Sequence, residues 1–483
     1  KKMSLIKNIK FFFIILVLFL FPFGLISYPG NKIYYIIFTA LSTYSLIISF
    51  NNKSIAFETF FALLFWLGFW FKLTIQISFL NNQFPEGVGL FDYKPESFDK
   101  LINIVSICII SLMSARKFRS KFIFNYKDYN FKNYKQENCL NFYSNFRIII
   151  LFVYLFCIFF FSITNFIFVF FQKGVLPETI LPLGLNNLIN WLLMFGLTSF
   201  SAVLLFFEFH YKKNNKTYLK FGFIENFLSS ISILSRAMIF NGTSLIFGFY
   251  RLTDFGGHKI KKKFFIKSFI ILLILFLISL IIVNKSRQHK DFPKELQIKN
   301  YLPKIQGIDN KTIDTLNYFS NEINQIFFLI SGRWVGVEGL MAVIGNKEIN
   351  YNTFVNSFSD KFDYSNSFYE NTIKKNNFVS SKNSKIYTVY VPGIVAFLFY
   401  TNSVLFLFVG IFILSIACSI IEYLSFRFSH YNIIFSYVVG NVLAYRLAHF
   451  GYMPQNSFKL IFAIFFTIGL IYFGLNIINK YWK

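Results

Sequence analysis

The chain has 483 residues, of which 55% are hydrophobic, 72 are phenylalanine and only 14% are charged. Uncharged runs such as Phe11 to Leu20 recur along it at lengths suited to membrane-crossing helices, which excludes a soluble globular protein. The formal net charge of +26 accompanies a general over-use of lysine, asparagine, isoleucine and phenylalanine, so basicity alone does not point to nucleic acid.

The N-terminal KKMSLIKNIK precedes an apolar run with no small-residue cleavage site between Phe21 and Gly30, and is read as the start of a retained first helix. Candidate spans follow at 11–28, 33–50, 57–80, 99–115, 147–171, 187–209, 264–283, 402–425, 431–450 and 458–478. Cys108, Cys157 and Cys418 fall inside these spans and Cys139 in a basic loop, so no disulfide or zinc framework is implied. Lys72, alone in the third span, is expected to extend toward the outer surface.

Orientation comes from lysine and arginine. The loop from Arg116 to Arg147 holds eight basic residues, Lys212 to Lys220 holds four and the first ten residues hold four; all three belong in the cytoplasm by the positive-inside rule. The loops around Lys32, Asn81 to Lys100 and Gln172 to Asn186 are poor in Lys and Arg and belong outside. Arg251 to Lys267 is again basic, yet a single crossing by 221–250 would put it outside. The conflict disappears if FGFIENFLSSISILSRAMIFNGTSLIFGFY enters and returns, turning near Ser235 and Arg236. Two full spans need more than thirty residues at about 1.5 Å each, so a broken hairpin in the outer leaflet is expected, with a cavity around Arg236.

The fold class expected is an all-α polytopic membrane protein of about 12 membrane segments with a large helical periplasmic loop. Residues 1–283 form transmembrane helices with the broken hairpin at 221–250, 284–387 the periplasmic loop domain, and 388–483 the C-terminal transmembrane helices. Both termini are then cytoplasmic. Within the loop, Ile313, Leu316, Phe319, Ile323, Phe327 and Ile330 mark an amphipathic surface helix. Ser331-Gly332 breaks it, and Trp334 to Ile344 forms a second, more apolar helix dipping into the interface. Asp360 and Asp363 lie in a solvated, charge-mixed stretch, and no metal is expected there.

Only nine of the 48 basic residues are arginine. Where a lysine-biased chain retains Arg, a planar bidentate fork is a more specific requirement than charge. Arg333, in SGRWVGVEGLMAVIG, sits at headgroup level beside the belt residue Trp334, with Gly332, Gly336 and Gly339 leaving room for a ligand or a helix; the bland reading is an Arg reaching lipid phosphate. Arg236 is an ionisable group within a membrane segment, at a cost of about 2.5–3.5 kcal/mol, and either serves a site or pairs with Glu225. Arg446 and His449 share one helical face near the outer end, His449 as a base or as a polar helix-end residue. Glu338 is a base or an ion-pair partner of Arg333. Three outer-face arginines and a histidine make an anion trap, and guanidinium forks suit phosphate oxygens. A lipid diphosphate is the ligand that fits.

About twelve membrane segments, one large outside loop late in the chain, the SRAMIF arginine before it and the GRWVG arginine within it resemble bacterial O-antigen polymerases and related oligosaccharide repeat unit polymerases. The resemblance covers most of the chain in architecture and rests on short motifs. The histidine-to-glycine pattern associated with O-antigen ligases is not found. What it implies is a membrane glycosyltransferase of the bacterial inner membrane, in O-antigen, lipopolysaccharide or other surface polysaccharide biosynthesis. Undecaprenyl-diphosphate-linked oligosaccharide units are polymerised by block transfer at the periplasmic face, without a cofactor. Arg236 and Arg333 would hold the leaving diphosphate, His449 or Glu338 would take the proton, and Arg446 with Trp334 would bind substrate. Lipid-linked oligosaccharides, membrane lipids and a chain-length regulator would be its partners. The competing expectations are a lipid-linked-oligosaccharide flippase or other transporter, an O-antigen ligase, and a non-catalytic assembly factor.

Overall fold

The computed structural model describes residues 5–289, apart from 52, 85, 127–136, 212–217, 236–237, 256–259 and 261, and then 331–332, 334–360, 367–375, 391–451 and 454–482. Arg236, Arg333, Asp363 and the expected surface helix at 313–330 lie outside these residues.

Among the described residues nine helices are long and apolar enough to cross a membrane. They are α1 (Leu5–Ser27), α2 (Lys32–Ser49), α3 (Ala56–Phe79), α4 (Pro95–Phe122), α5 (Glu137–Phe168), α6 (Pro182–Tyr211), α9 (Lys262–His289), α11 (Val404–Phe428) and α13 (Pro454–Tyr481). Shorter helices complete the bundle: α7 (Tyr218–Ser232), α8 (Ile239–Phe255), α10 (Val337–Gly345) and α12 (Ile433–Ala448). Each span read from hydropathy falls on one of these helices.

Burial sorts them into a centre and a rim. In its most apolar stretch α3 is 78% buried, whereas α1 and α5 are 17% buried and show phenylalanine and isoleucine outward. A helix that is apolar all round and buried belongs in the middle. α12 is such a helix: every residue from Ile433 to Ala444 is buried, and it packs chiefly on α3 and α8. Small residues permit the approach. A Cβ on Gly440 would lie 2.7 Å from the Phe57 amide nitrogen, and one on Gly248 would lie 2.9 Å from Ile434 Cα.

One end of the bundle carries the basic segments, and its arginines are matched. Arg119 donates to both oxygens of Glu58, at 2.9 and 2.8 Å. Arg147 does the same to Glu208, at 3.0 and 2.8 Å. Arg251 donates to the Asn51 carbonyl at the end of α2. Glu422 near the end of α11 accepts from the amides of Ala56 and Phe57, closing the N-terminus of α3 with a negative group.

The 221–250 segment is built of two helices, α7 and α8, whose near ends meet at one end of the bundle. The residues after α7 sit at the end opposite the basic one, where the Lys173 amide donates to the Ile233 carbonyl. The far end of α8 places Arg251 at the basic end. At 15 and 17 residues the arms are about 22 and 25 Å long, short for a span. α7 packs on α5, α6, α8 and α9, and α8 on α6, α7, α9 and α12, so neither has to match the full hydrocarbon thickness.

Residues 331–345 depart from expectation, by lying deeper than an interfacial helix. Gly68, midway along α3, is where the chain at Val335 and Gly336 comes to rest: a Cβ on Gly68 would lie 2.1 Å from the Val335 carbonyl oxygen. The contact falls in a π-turn of α3, Trp66–Phe71, the kind of local widening that often marks functional helices. α10 then climbs away with Val337 to Val343 buried throughout. Gly336 and Gly339 therefore admit backbone: a Cβ on Gly339 would lie 2.0 Å from the Pro392 carbonyl oxygen.

Candidate functional site

Where residues 331–345 enter, α3 supplies the only ammonium within the apolar part of that helix. Lys72 does not extend toward the surface. It is fully buried, pairs with Glu338 at 2.5 Å and donates to the Trp334 carbonyl at 2.7 Å. One turn on, Gln76 donates to the Ser331 hydroxyl. Two charges removed from water are tolerable only as a close pair, so these contacts fix the entering segment to α3. Glu338, placed by sequence as a base or as the partner of Arg333, is the partner of Lys72, and its carboxyl is 1% exposed.

Beside this anchor the end of α12 meets the start of α8 and the loop between α5 and α6. The Trp334 ring stands 6.1 Å from Phe240, and Phe240 stands 6.4 Å from Tyr445. Asn441 holds the Phe240 carbonyl. The ammonium of Lys173 lies over the Tyr445 ring, 5.7 Å from its centre. Arg287, near the end of α9, reaches the carbonyls of Leu234 and Lys173, at 2.6 and 3.4 Å. Segments remote in sequence thus meet in one cluster of partly exposed side chains, Lys173, Arg446, His449, Tyr445, Trp334 and Phe240.

Its charge is of one sign. Among the described residues no carboxylate pairs with Lys173 or Arg446. Among the described residues the buried Nε of Arg446 meets no acceptor, and a donor left unmade costs about 1–3 kcal/mol. Burial first, and then the guanidinium groups of Arg446 and Arg287, pull the Lys173 ammonium down to about 8. Arg119 and Arg147 at the basic end are matched by carboxylates, whereas Lys173 and Arg446 meet none among the described residues.

His449 stands one residue beyond α12, stacked on Tyr445 with ring centres 4.1 Å apart. Its Nδ1 lies 2.9 Å from the Tyr445 carbonyl; a carbonyl only accepts, so Nδ1 carries the hydrogen and the lone pair of the neutral ring is on Nε2. Burial is the main cause that pushes the imidazole down to about 4, with Lys173, Arg446 and Lys72 acting the same way against the Tyr445 hydrogen bond. The ring is neutral at physiological pH and a weak base.

No family model, characterised protein or solved structure matches the chain. Of the six residues singled out from sequence, Arg446, His449 and Trp334 meet in this cluster, Glu338 lies behind it in the ion pair with Lys72, and Arg236 and Arg333 lie outside the described residues. Lys173 was missed. Its loop is poor in basic residues, and that single lysine served only to place the loop outside; nothing local shows that it folds over Tyr445.

Proposed function

We propose that the protein polymerises lipid-diphosphate-linked oligosaccharide units by glycan block transfer, at the end of the bundle opposite the basic one, taken as the periplasmic face of a bacterial inner membrane. The observation that carries the reading is a pair of neighbouring cations, Lys173 and Arg446, that meet no carboxylate among the described residues and lie among membrane helices. A ligand that fits has a concentrated negative charge and an apolar tail able to lie beside the helices, which describes a polyprenyl diphosphate. Trp334 belongs to the same cluster, its ring 6.1 Å from that of Phe240.

In the reaction the hydroxyl oxygen of the acceptor glycan bonds to the anomeric carbon of the donor, and the bond from that carbon to the diphosphate breaks. Negative charge accumulates on the departing diphosphate, where prearranged cations are most effective in a site of low dielectric. Arg446 offers a fork with an unmet donor, and Lys173 a point charge. Nε2 of His449 receives the proton of the attacking hydroxyl. The weak basicity of His449 in the free protein suits this order of events: a bound diphosphate offsets the cations that depress it, so the base gains strength once substrate is present.

Two outcomes test the reading. Deletion of the gene is expected to abolish long-chain surface polysaccharide while single lipid-linked units persist on the outer leaflet; their retention on the inner leaflet would instead make the protein a flippase. Binding is also expected to be linked to protons. Lys173 is charged below about pH 8 and neutral above it, and a diphosphate favours the charged form, so affinity falls as pH rises through 8 and binding above that pH takes up about one proton. Calorimetry with farnesyl diphosphate at pH 8.5, in buffers of different ionisation enthalpy, measures the uptake. It should vanish in Lys173→Met.

A further inference from the structure

Away from the cluster, the middle of α7 carries a carboxyl that the proposed chemistry does not use. Glu225 is fully buried. Thr198 of α6 donates to its Oε2 at 2.9 Å and Ser229 to its Oε1 at 3.0 Å. Tyr154 of α5 stands beside it and bonds Ser201. Asn241 of α8 donates to the Met194 carbonyl, at 3.1 Å, and to the Thr198 hydroxyl, at 3.4 Å. That carbonyl belongs to a π-turn of α6, Leu192–Gly196. Among the described groups around Glu225, Tyr154 from α5 is the one that titrates; α6 and α8 present hydroxyl and amide groups, and no cation is paired with it.

A buried carboxylate with no counter-ion pays a desolvation penalty far above that of the neutral acid. Hydroxyl and amide neighbours are well suited to a carboxyl that holds a proton and passes it on. The same face of α7 continues toward the cluster: positions 225, 229 and 232 are spaced by four and three, hence aligned. Ser232 receives the Asn165 amide at 2.9 Å, and Asn165 also holds the Phe171 carbonyl, two residues before Lys173. Ser229, Ser232 and Asn165 are all buried, so this polar file is sheltered from lipid along its length.

We propose that Glu225 is a proton-binding site inside the membrane and that the Ser229 and Ser232 face of α7 exchanges its proton with the cluster near Lys173. The step is a relay between oxygens: the carboxyl O–H bond breaks as its proton passes to a serine hydroxyl oxygen, and that hydroxyl's own O–H bond breaks as its hydrogen passes to the next acceptor toward Lys173, so each hydroxyl stays neutral and nothing is oxidised or reduced. It stands independently of which anion binds at the cluster.

Infrared spectroscopy of the full chain in lipid nanodiscs at pH 7 tests it. A protonated-carboxyl C=O band is expected that is lost in Glu225→Gln, and in the unsubstituted protein it should move on transfer to D2O. Ser229→Ala should displace the band, having removed a hydrogen bond to Oε1, and slow the deuterium exchange. Ser230→Ala, whose hydroxyl donates to the Asn226 carbonyl, should do neither. The Ser229→Ala displacement assigns the band even if Glu225→Gln fails to fold. No band sensitive to Glu225→Gln or Ser229→Ala, a band that does not exchange, or equal effects of the two serine variants would overturn the proposal.

Discussion

Lys72→Met is expected to destabilise the protein by about 3–5 kcal/mol, because it leaves the Glu338 carboxylate buried and unpaired. Lys72 also holds the Trp334 carbonyl, so the loss should be felt first in residues 331–345. Thermal unfolding in detergent and proteolysis of that segment are the measurements. Pairing Lys72→Met with Glu338→Met removes both charges, and buried ion pairs replaced by apolar residues are often neutral in stability or better. If the pair only seats the segment, the double variant recovers stability and activity together. Recovered stability with activity still absent would give Glu338 the proton-accepting role that its enclosure otherwise argues against.

Arg446→Ala is expected to reduce polymerisation about 100-fold or more, the scale seen when one prearranged donor to developing negative charge is removed. Arg446→Lys keeps the charge but not the fork, and should recover only part of the activity. Protein abundance and melting temperature should barely change, since Arg446 has no carboxylate partner among the described residues to abandon. The same contrast applies to Arg333, where Arg333→Lys should shorten the polysaccharide although the charge is kept. Chain-length profiles of the extracted polysaccharide measure both; unchanged profiles in the two lysine variants would remove the fork from the mechanism.

Hydropathy placed the spans because lipid-facing helices have to be apolar, and α1, α5, α9, α11 and α13 expose just those side chains. The α7–α8 pair was legible through charge alone, as a conflict between the basic stretch from Arg251 and a single crossing. Its packing was not: the cover by α5, α6, α9 and α12 that permits short polar helices is a tertiary property. Lys72 illustrates the same limit. A lone lysine in an apolar helix reads as one that reaches the interface, and its partner Glu338 is 266 positions away, on a segment whose glycines gave no sign of the α3 backbone they meet. Arg446, His449 and Trp334 were found because each is unusual for its surroundings, whereas Lys173 is ordinary in a lysine-rich chain until the fold sets it over Tyr445.

The composition of α7 bears on how the chain is made. Fifteen residues that include Glu225, Asn226 and three serines are too few and too polar to partition into lipid by themselves. Two of the helices that shelter it, α5 and α6, leave the ribosome earlier; the other two, α8 and α9, leave later. α7 must therefore wait in the insertion channel until its later neighbours arrive. A nascent chain stopped just after α8 is expected to slip out of the bilayer and be degraded, while one stopped after α9 is retained.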